Sequence, residues 1–247
     1  MHIYHQDTAD QLAQAISLRI AAQLQERPDS LLCLAGGETT LPVFRACVAA
    51  QQAGLADFSR CRFVSLDEWI GLGREDVGSC LQTLSDELFQ PLALRNEQIV
   101  FFDGQAADLQ NECRRIDAVI AAHGGLDLVV LGVGMNGHIG FNEPGVNGEQ
   151  NSHIEPLDEV TRTIAPKYFN RPQPVTQGIT LGIQQLRTAR QILLMITGAH
   201  KAGIVEQFIS TPVGPHFPAS LLRDLPQTTF WTDRVIPRAN ITQEAIR

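Results

Sequence analysis

The sequence predicts an α/β fold: one doubly wound, mostly parallel sheet with helices on both faces, Rossmann-like in its layering. Short apolar runs alternate with longer stretches of helical periodicity, so each strand is followed by a crossover and the next strand returns parallel. The runs are apolar enough to be covered on both faces, which is how strands of parallel sheets read. The 247 residues suit one such domain, and residues 1–247 are expected to form it.

The elements follow in order. Thr8–Gln25 is a polar amphipathic stretch, and Ser30–Ala35 (SLLCLA) is the first short apolar run, a strand. Gly36-Gly37 then lead into helical periodicity over Leu41–Ala53. Arg62–Leu66 (RFVSL) reads as a strand, Ser79–Phe89 and Asp108–His123 as helices, and Leu126–Gly132 (LDLVVLG) as a fully buried strand. A Gly/Asn/Pro-rich stretch runs from Gly132 to Gln150, and a weakly patterned segment continues to Pro174. Residues 145–174 are therefore a candidate lid. Ile179–Gly182, a strand at Gln191–Thr197, a helix at Ala199–Ile209 and a strand at Thr228–Thr232 complete the pattern.

Composition narrows the function classes. Hydrophobic residues make up 44% and charged residues 19%, and the mean hydropathy is −0.04. These values exclude a disordered, fibrous or membrane-spanning chain. The net charge of −8 and a pI near 5.3 give no basic field for nucleic acid. A small anionic substrate remains compatible, because a pocket needs only a few local cations and backbone N–H groups to hold a phosphate. The five cysteines, Cys33, Cys47, Cys61, Cys80 and Cys113, are odd in number and lack CxxC spacing. The N-terminus, MHIYHQDTAD, is polar. Reduced thiols in a cytoplasmic protein are expected, without membrane or nucleic-acid partners.

In doubly wound sheets ligands sit beyond the carboxyl ends of the strands, and three of those ends are unusual. Gly36-Gly37-Glu38-Thr39-Thr40 opens a helix, with glycines that admit close backbone approach and hydroxyls that donate. It reads as a phosphate cradle or as a plain tight turn, and it is neither a Walker A loop nor GxGxxG. Asp67-Glu68-Trp69 follows RFVSL. An Asp there is a proton shuttle raised in pKa by desolvation, or a cap or turn former. Densest is VGMNGHIGFNEPG after LDLVVLG, where His138 precedes Glu143 by five residues. That pair reads as an imidazole oriented, and raised in pKa, by a carboxylate for proton transfer, with a structural histidine as the alternative. No second His or Cys falls at ligand spacing, so no metal is expected. Lys167 in TRTIAPKYF and Lys201 after Gly198-Ala199-His200 are candidate cations, or solvated surface lysines.

GGETT, LDEW, GVGMNGHIGFNEPG and the GAHKA junction, in this order and spacing, resemble the glucosamine-6-phosphate deaminase family, and especially its shorter galactosamine-6-phosphate isomerase/deaminase members. The resemblance runs from about Leu31 to Trp231. The related 6-phosphogluconolactonases share a glycine-histidine pair but not the FNEP that follows. The resemblance implies a sugar-phosphate isomerase type of fold. It also implies an aldose–ketose isomerisation coupled to loss of ammonia from an amino-sugar 6-phosphate, with no cofactor. In that reading His138 opens the pyranose ring, Glu143 orients the imidazole, and Asp67 moves the proton from C2 to C1 through an enol-type intermediate. Gly37, Glu38 and Thr39 meet the phosphate, joined by Lys201 and by Lys167, where the family often has arginine.

Departures from the family pattern refine the expectation. Asn136 stands where the glucosamine enzymes usually carry Asp and the galactosamine type tends to carry Asn, which points toward galactosamine 6-phosphate. The Glu38 carboxylate has to turn away from a phosphate or repel it. Lys167 offers a point charge instead of a bidentate fork. The chain stops near the last strand, so a monomer or small homo-oligomer without amino-sugar allostery is expected. The rival readings are a 6-phosphogluconolactonase-like hydrolase, which shares the Gly-Gly loop and a histidine, and a non-catalytic sugar-phosphate sensor.

Overall fold

The computed structural model describes residues 1–236. In chain order the strands are β1 (His2–His5), β2 (Leu31–Leu34), β3 (Arg62–Ser65), β4 (Asp67–Trp69), β5 (Ile99–Val100), β6 (Leu128–Gly132), β7 (His153–Pro156), β8 (Gln177–Thr180), β9 (Gln191–Ile196) and β10 (Thr228–Thr232). The helices are α1 (Ala9–Glu26), α2 (Leu41–Gln52), α3 (Cys80–Leu84), α4 (Leu109–His123), α5 (Glu159–Ile164), α6 (Ile183–Arg187), α7 (Ala202–Ser210) and α8 (Ser220–Arg223). α3 runs on as a π-helical turn over Ser85–Phe89, so the single helix expected at Ser79–Phe89 is one rod with two hydrogen-bond registers.

The main sheet has seven strands in the order β1-β10-β9-β6-β2-β3-β5, and every pairing within it is parallel. Successive side chains in a strand point to opposite faces, and both faces are covered. Leu32 and Leu34 of β2 join Leu128, Val130 and Leu193 in a core closed by Leu12, Ile16 and Ile20 of α1 and Phe44 of α2. Leu31 and Cys33 point the other way, into a core with Val129, Leu131 and Leu194 that Ile116 of α4 and Phe208 of α7 seal. This two-faced burial is why the strands read as uninterrupted apolar runs. Among the described residues no helix is long and apolar enough to cross a membrane.

A second, antiparallel sheet, β4-β8-β7, was not anticipated. Its strands are short and its members are polar, Asp-Glu-Trp, His-Ile-Glu-Pro and Gln-Gly-Ile-Thr, so periodicity gave no strand signal. Register places Asp67 opposite Thr180, and Thr180 opposite His153. Behind this sheet a small core of Trp69, Leu72, Cys80, Phe141, Leu157 and Ala165 holds the segment expected to be a lid. Within residues 145–174 lie β7, α5 and a 3-10 turn at Ala165–Tyr168. Tyr168 and Phe169 pack on Trp69 with ring centroids 6.2 and 5.5 Å away.

The strand order reverses between β2 and β6: β3 and β5 continue to one side, β9 and β10 to the other. At such a switch point the two connections leave in opposite directions and open a crevice. β3, β2, β6 and β9 are consecutive in the sheet, so their carboxyl ends deliver residues 66–69, 35–40, 133–145 and 197–201 to one edge.

Candidate active site

These loops line a cleft of about 890 Å³. Gly37, Glu38, Thr39, Asp67, His138, Lys167 and Lys201 all face it. Asn136 and Glu143 do not; they stand behind the imidazole.

At the end of β2 the chain turns into α2 through Gly36–Thr40. The Thr40 hydroxyl donates to the carbonyls of Ala35 and Gly37, which folds the loop back on itself. Among the described residues the N–H groups of Gly37, Glu38 and Thr39 have no acceptor. Three free donors next to the N-terminus of a twelve-residue helix make an anion cradle. Lys201, in the 3-10 turn Ala199–Lys201 that precedes α7, donates to Thr39 Oγ1 at 3.0 Å and to the Val133 carbonyl at 2.7 Å. Thr39 accepts there, so its hydroxyl proton is free for a ligand. Burial, with Lys167 second, lowers the Lys201 pKa to about 8, and Glu38 opposes the shift.

Glu38 is not turned out of the cleft; its charge is answered by a cation the sequence did not place beside it. Its carboxylate pairs with Lys167 at 2.7 Å, and Lys167 also lies over the Tyr168 ring. Both members of the pair are about half exposed.

Asp67 and Glu68 are adjacent carboxylates, and strand alternation sends them to opposite sides. Glu68 turns inward and accepts from the N–H groups of Trp69, Cys80 and Leu81 at 2.8–2.9 Å, anchoring the start of α3. Asp67 turns to the cleft. Burial raises its pKa to about 7, and a hydrogen bond from the Cys80 thiol opposes the shift. Gly140, at φ +57°, lets the following loop pass close by: a Cβ there would sit 3.3 Å from Asp67 Oδ2 and 2.7 Å from Thr180 Oγ1. Thr180 also accepts from the Phe141 N–H and donates to the Leu66 carbonyl, tying the His138 loop to the Asp67 strand.

His138 differs from its sequence expectation in two respects. A carboxylate was expected to orient it, yet the nearest oxygen to its Nδ1 is Asn136 Oδ1 at 2.7 Å, and Glu143 Oε2 is 3.5 Å away. Its pKa was expected to rise. Burial instead lowers it to about 4, helped by Lys201 and opposed by Asp158, because the imidazole has too little contact with water to stabilise its charged form. The orientation of that amide is settled by its other end, where Asn136 Nδ2 donates to Glu143 Oε2 at 3.0 Å and Asp158 Oδ1 at 3.2 Å. Oδ1 therefore faces the ring and accepts, which puts the proton on Nδ1 and leaves the Nε2 lone pair free. Glu143 is buried with Oε1 unpaired among the described residues, and burial raises its pKa.

Asp158, Thr161, Cys80 and Thr180 were missed. Asp158 carried a signal: an Asp directly before a helix whose first residue is Glu159 is a capping pattern, and it caps α5 through Val160 N–H at 2.9 Å. Thr161 Oγ1 lies 3.3 Å from His138 Nδ1, a contact no local pattern announces. Among the described residues no group of three or more His, Cys, Asp or Glu side chains is placed to hold a metal ion. All five cysteines are free thiols.

The arrangement offers a base on each side of one cleft, Asp67 and the His138 Nε2, with an anion cradle at its end. Residues 4–231 match the family model described as glucosamine-6-phosphate isomerases/6-phosphogluconolactonase. The glucosamine-6-phosphate deaminase of Bacillus pumilus is 35% identical over 235 residues, 95% of this chain and 98% of that protein. That of Halalkalibacterium halodurans is 38% identical over 213 residues, 86% of this chain and 87% of its own. A solved structure of a monomeric glucosamine-6-phosphate deaminase superposes with a TM-score of 0.89 at 34% identity, covering 94% of this chain and 97% of that one. The 6-phosphogluconolactonase of Thermotoga maritima shares the fold, with a TM-score of 0.73 at 19% identity over 94% of this chain and 97% of that one.

Proposed function

This chain belongs to the glucosamine-6-phosphate isomerase/6-phosphogluconolactonase family, and from that premise we propose that it is an enzyme converting an amino-sugar 6-phosphate and water into a ketose 6-phosphate and ammonia. The observation that carries the reading is the placement of Asp67 and His138 on one cleft that ends in the Gly37–Thr39 cradle and Lys201.

The residues suit the steps. The phosphate takes the free N–H groups of the cradle, the Thr39 hydroxyl and the Lys201 ammonium. Anchored there, the sugar contributes its binding energy to orienting C1 and C2. His138 accepts the anomeric hydroxyl proton at Nε2 and passes a proton to the ring oxygen, which opens the pyranose. Its low pKa keeps it neutral at neutral pH, in the form that accepts a proton. Asp67 removes the C2 proton and returns it to C1. A pKa of about 7 leaves a substantial fraction ionised while making the carboxylate basic enough for a carbon acid. Water then adds at C2, and the nitrogen leaves as ammonia. Asn136 and Glu143 hold the imidazole in its working tautomer.

Galactosamine 6-phosphate is the substrate we favour, on the amide at position 136. The same reading takes the protein as cytoplasmic and as a monomer or small homo-oligomer, supported by likeness to a deaminase described as monomeric. Residues 145–174 act as a lid, since they carry Lys167 and Thr161 to the cleft. The test is release of ammonia from galactosamine 6-phosphate and glucosamine 6-phosphate in parallel, with 6-phosphogluconolactone as a control for hydrolysis. Silence on both sugars at high enzyme concentration would sink the reading.

A further inference from the structure

We infer that Asp158 is a positioning residue for His138: it holds the Asn136 amide in the one orientation that fixes the imidazole tautomer, and so makes the entry to α5 part of the proton-transfer machinery. This builds on the deaminase reading above but concerns a residue twenty positions beyond the histidine, on another element.

An Asn side chain has one acceptor and two N–H donors, and rotation by a half-turn exchanges the two ends. The end facing His138 decides which ring nitrogen carries the proton. With Oδ1 inward, Nδ1 is protonated and Nε2 is a base; with Nδ2 inward, Nδ1 accepts, Nε2 carries the proton, and the cleft faces a donor. Two carboxylate oxygens on the far side decide between them together with the His138 backbone N–H, which donates to Oδ1 at 3.3 Å on the near side. Glu143 Oε2 takes one N–H at 3.0 Å and Asp158 Oδ1 takes the other at 3.2 Å, so a flip would turn the carbonyl oxygen toward two anions. Glu143 alone would leave the second N–H without an acceptor. The same Asp158 oxygen caps α5 through Val160 N–H, and α5 carries Thr161, whose hydroxyl reaches His138 Nδ1. Cap, amide and imidazole are thus one chain of hydrogen bonds.

Charge acts in the same direction. The charged groups facing His138 are Glu143 at 3.5 Å from the Gly-rich loop, Asp158 from the start of α5 and Lys201 from the start of α7. Asn136 and Thr161 complete the surround as neutral groups. Asp158 offsets part of the field of Lys201 at the imidazole.

The experiment separates capping from positioning. Ser, Asn and Asp are nearly equivalent helix N-caps, but only Asn and Asp reach Asn136. Asp158→Asn keeps an acceptor at that distance; Asp158→Ser keeps the cap and loses the bridge. The tautomer of His138 is read by nitrogen-15 NMR on the ligand-free protein, assigned against His138→Gln, and needs no substrate. In Asp158→Ser the Nδ1–H population is expected to fall and Tm to stay close to wild type. kcat should drop on the order of 10–100-fold, part of the 10²–10⁴ that a positioned acid–base group supplies, with KM within about twofold. Asp158→Asn should retain the wild-type tautomer and most of kcat. A wild-type tautomer in Asp158→Ser would overturn the inference, as would a loss in both variants that follows Tm. If the wild-type protein releases no ammonia from either sugar, the tautomer measurement still decides the role of Asp158, and the deaminase reading falls on its own.

Discussion

Lys167 Nζ lies 2.7 Å from Glu38 Oε2, so the cation that residues 145–174 bring to the cleft is already paired with the acidic residue of the anion cradle. A phosphate arriving there competes with a carboxylate for Lys167, while Lys201, held by Thr39 and Val133, stays available. Because the pair is about half exposed, its strength is that of a surface ion pair, about 0.2–1 kcal/mol. Glu38→Gln is therefore expected to lower KM, and the inhibition constant of inorganic phosphate, by about 1.5–5-fold. kcat should be unchanged and the effect should shrink with added salt. Weaker phosphate binding in the variant would mean that Glu38 orders Lys167 for the ligand instead of competing with it.

The pH profile of kcat/KM should be a narrow bell. Asp67 accepts a proton only when ionised, so the acidic limb follows its pKa of about 7. Lys201 attracts the phosphate only when protonated, so the alkaline limb follows its pKa of about 8. His138, at about 4, is neutral across the interval and adds no limb. Lys201→Met should raise KM and erase the alkaline limb while the acidic limb stays. A profile flat from about pH 6 to 9 would exclude Asp67 as the titrating base.

How much of this was legible in the sequence follows from how far each signal reaches. β2, β6 and β9 were readable because each is apolar at nearly every position, the mark of burial on two faces. Gly37, Asp67, His138 and Lys201 were readable because all lie within a few residues of such a strand's end, where the topology gathers ligand-binding loops. The β4-β8-β7 sheet was not, since three- and four-residue polar strands have no periodicity to detect. Nor was Asp158: a capping residue can be read locally, but its contact with Asn136 depends on α5 folding back over the loop after β6. The direction of the His138 shift failed for a related reason, because proximity in sequence suggested the carboxylate, and burial together with Lys201 outweighed it.

Burying Asp67 costs stability at neutral pH. Its folded pKa of about 7 lies above the unfolded value near 3.9, so the folded state binds the proton more tightly. Stability is greatest below the unfolded pKa, declines as pH rises between the two values and levels off above about 7. Asp67→Asn keeps an acceptor for the Cys80 thiol and never ionises. Its Tm should match wild type near pH 4 and exceed it at pH 8, with about 2–4 °C for each kcal/mol recovered, while ammonia release is abolished. Equal gaps at both pH values would show that ionisation is not what the buried site opposes.

Gly134 offers a test of the imidazole's position that leaves its chemistry untouched. A Cβ at residue 134 would lie 2.3 Å from the Nε2 and Cε1 atoms of His138, so the ring rests directly on the glycine backbone, and an alanine has to push it toward the cleft. The Gly134 N–H accepts no such displacement easily, because it donates to the His138 carbonyl at 3.0 Å and fixes the two residues face to face. Displacement breaks the 2.7 Å contact with Asn136 Oδ1 and moves Nε2 off its line to the substrate. A misplacement of about 1 Å in a reacting group costs on the order of 10²-fold in rate, whereas an overpacked side chain costs about 1–3 kcal/mol in stability. Gly134→Ala is thus expected to lose about 10²-fold in kcat with a fold that still melts cooperatively, and phosphate binding at the Gly37–Thr39 cradle should survive, as it lies on a different strand end. Near-normal kcat in that variant would show that the ring tolerates displacement and that its close seat on Gly134 serves packing alone.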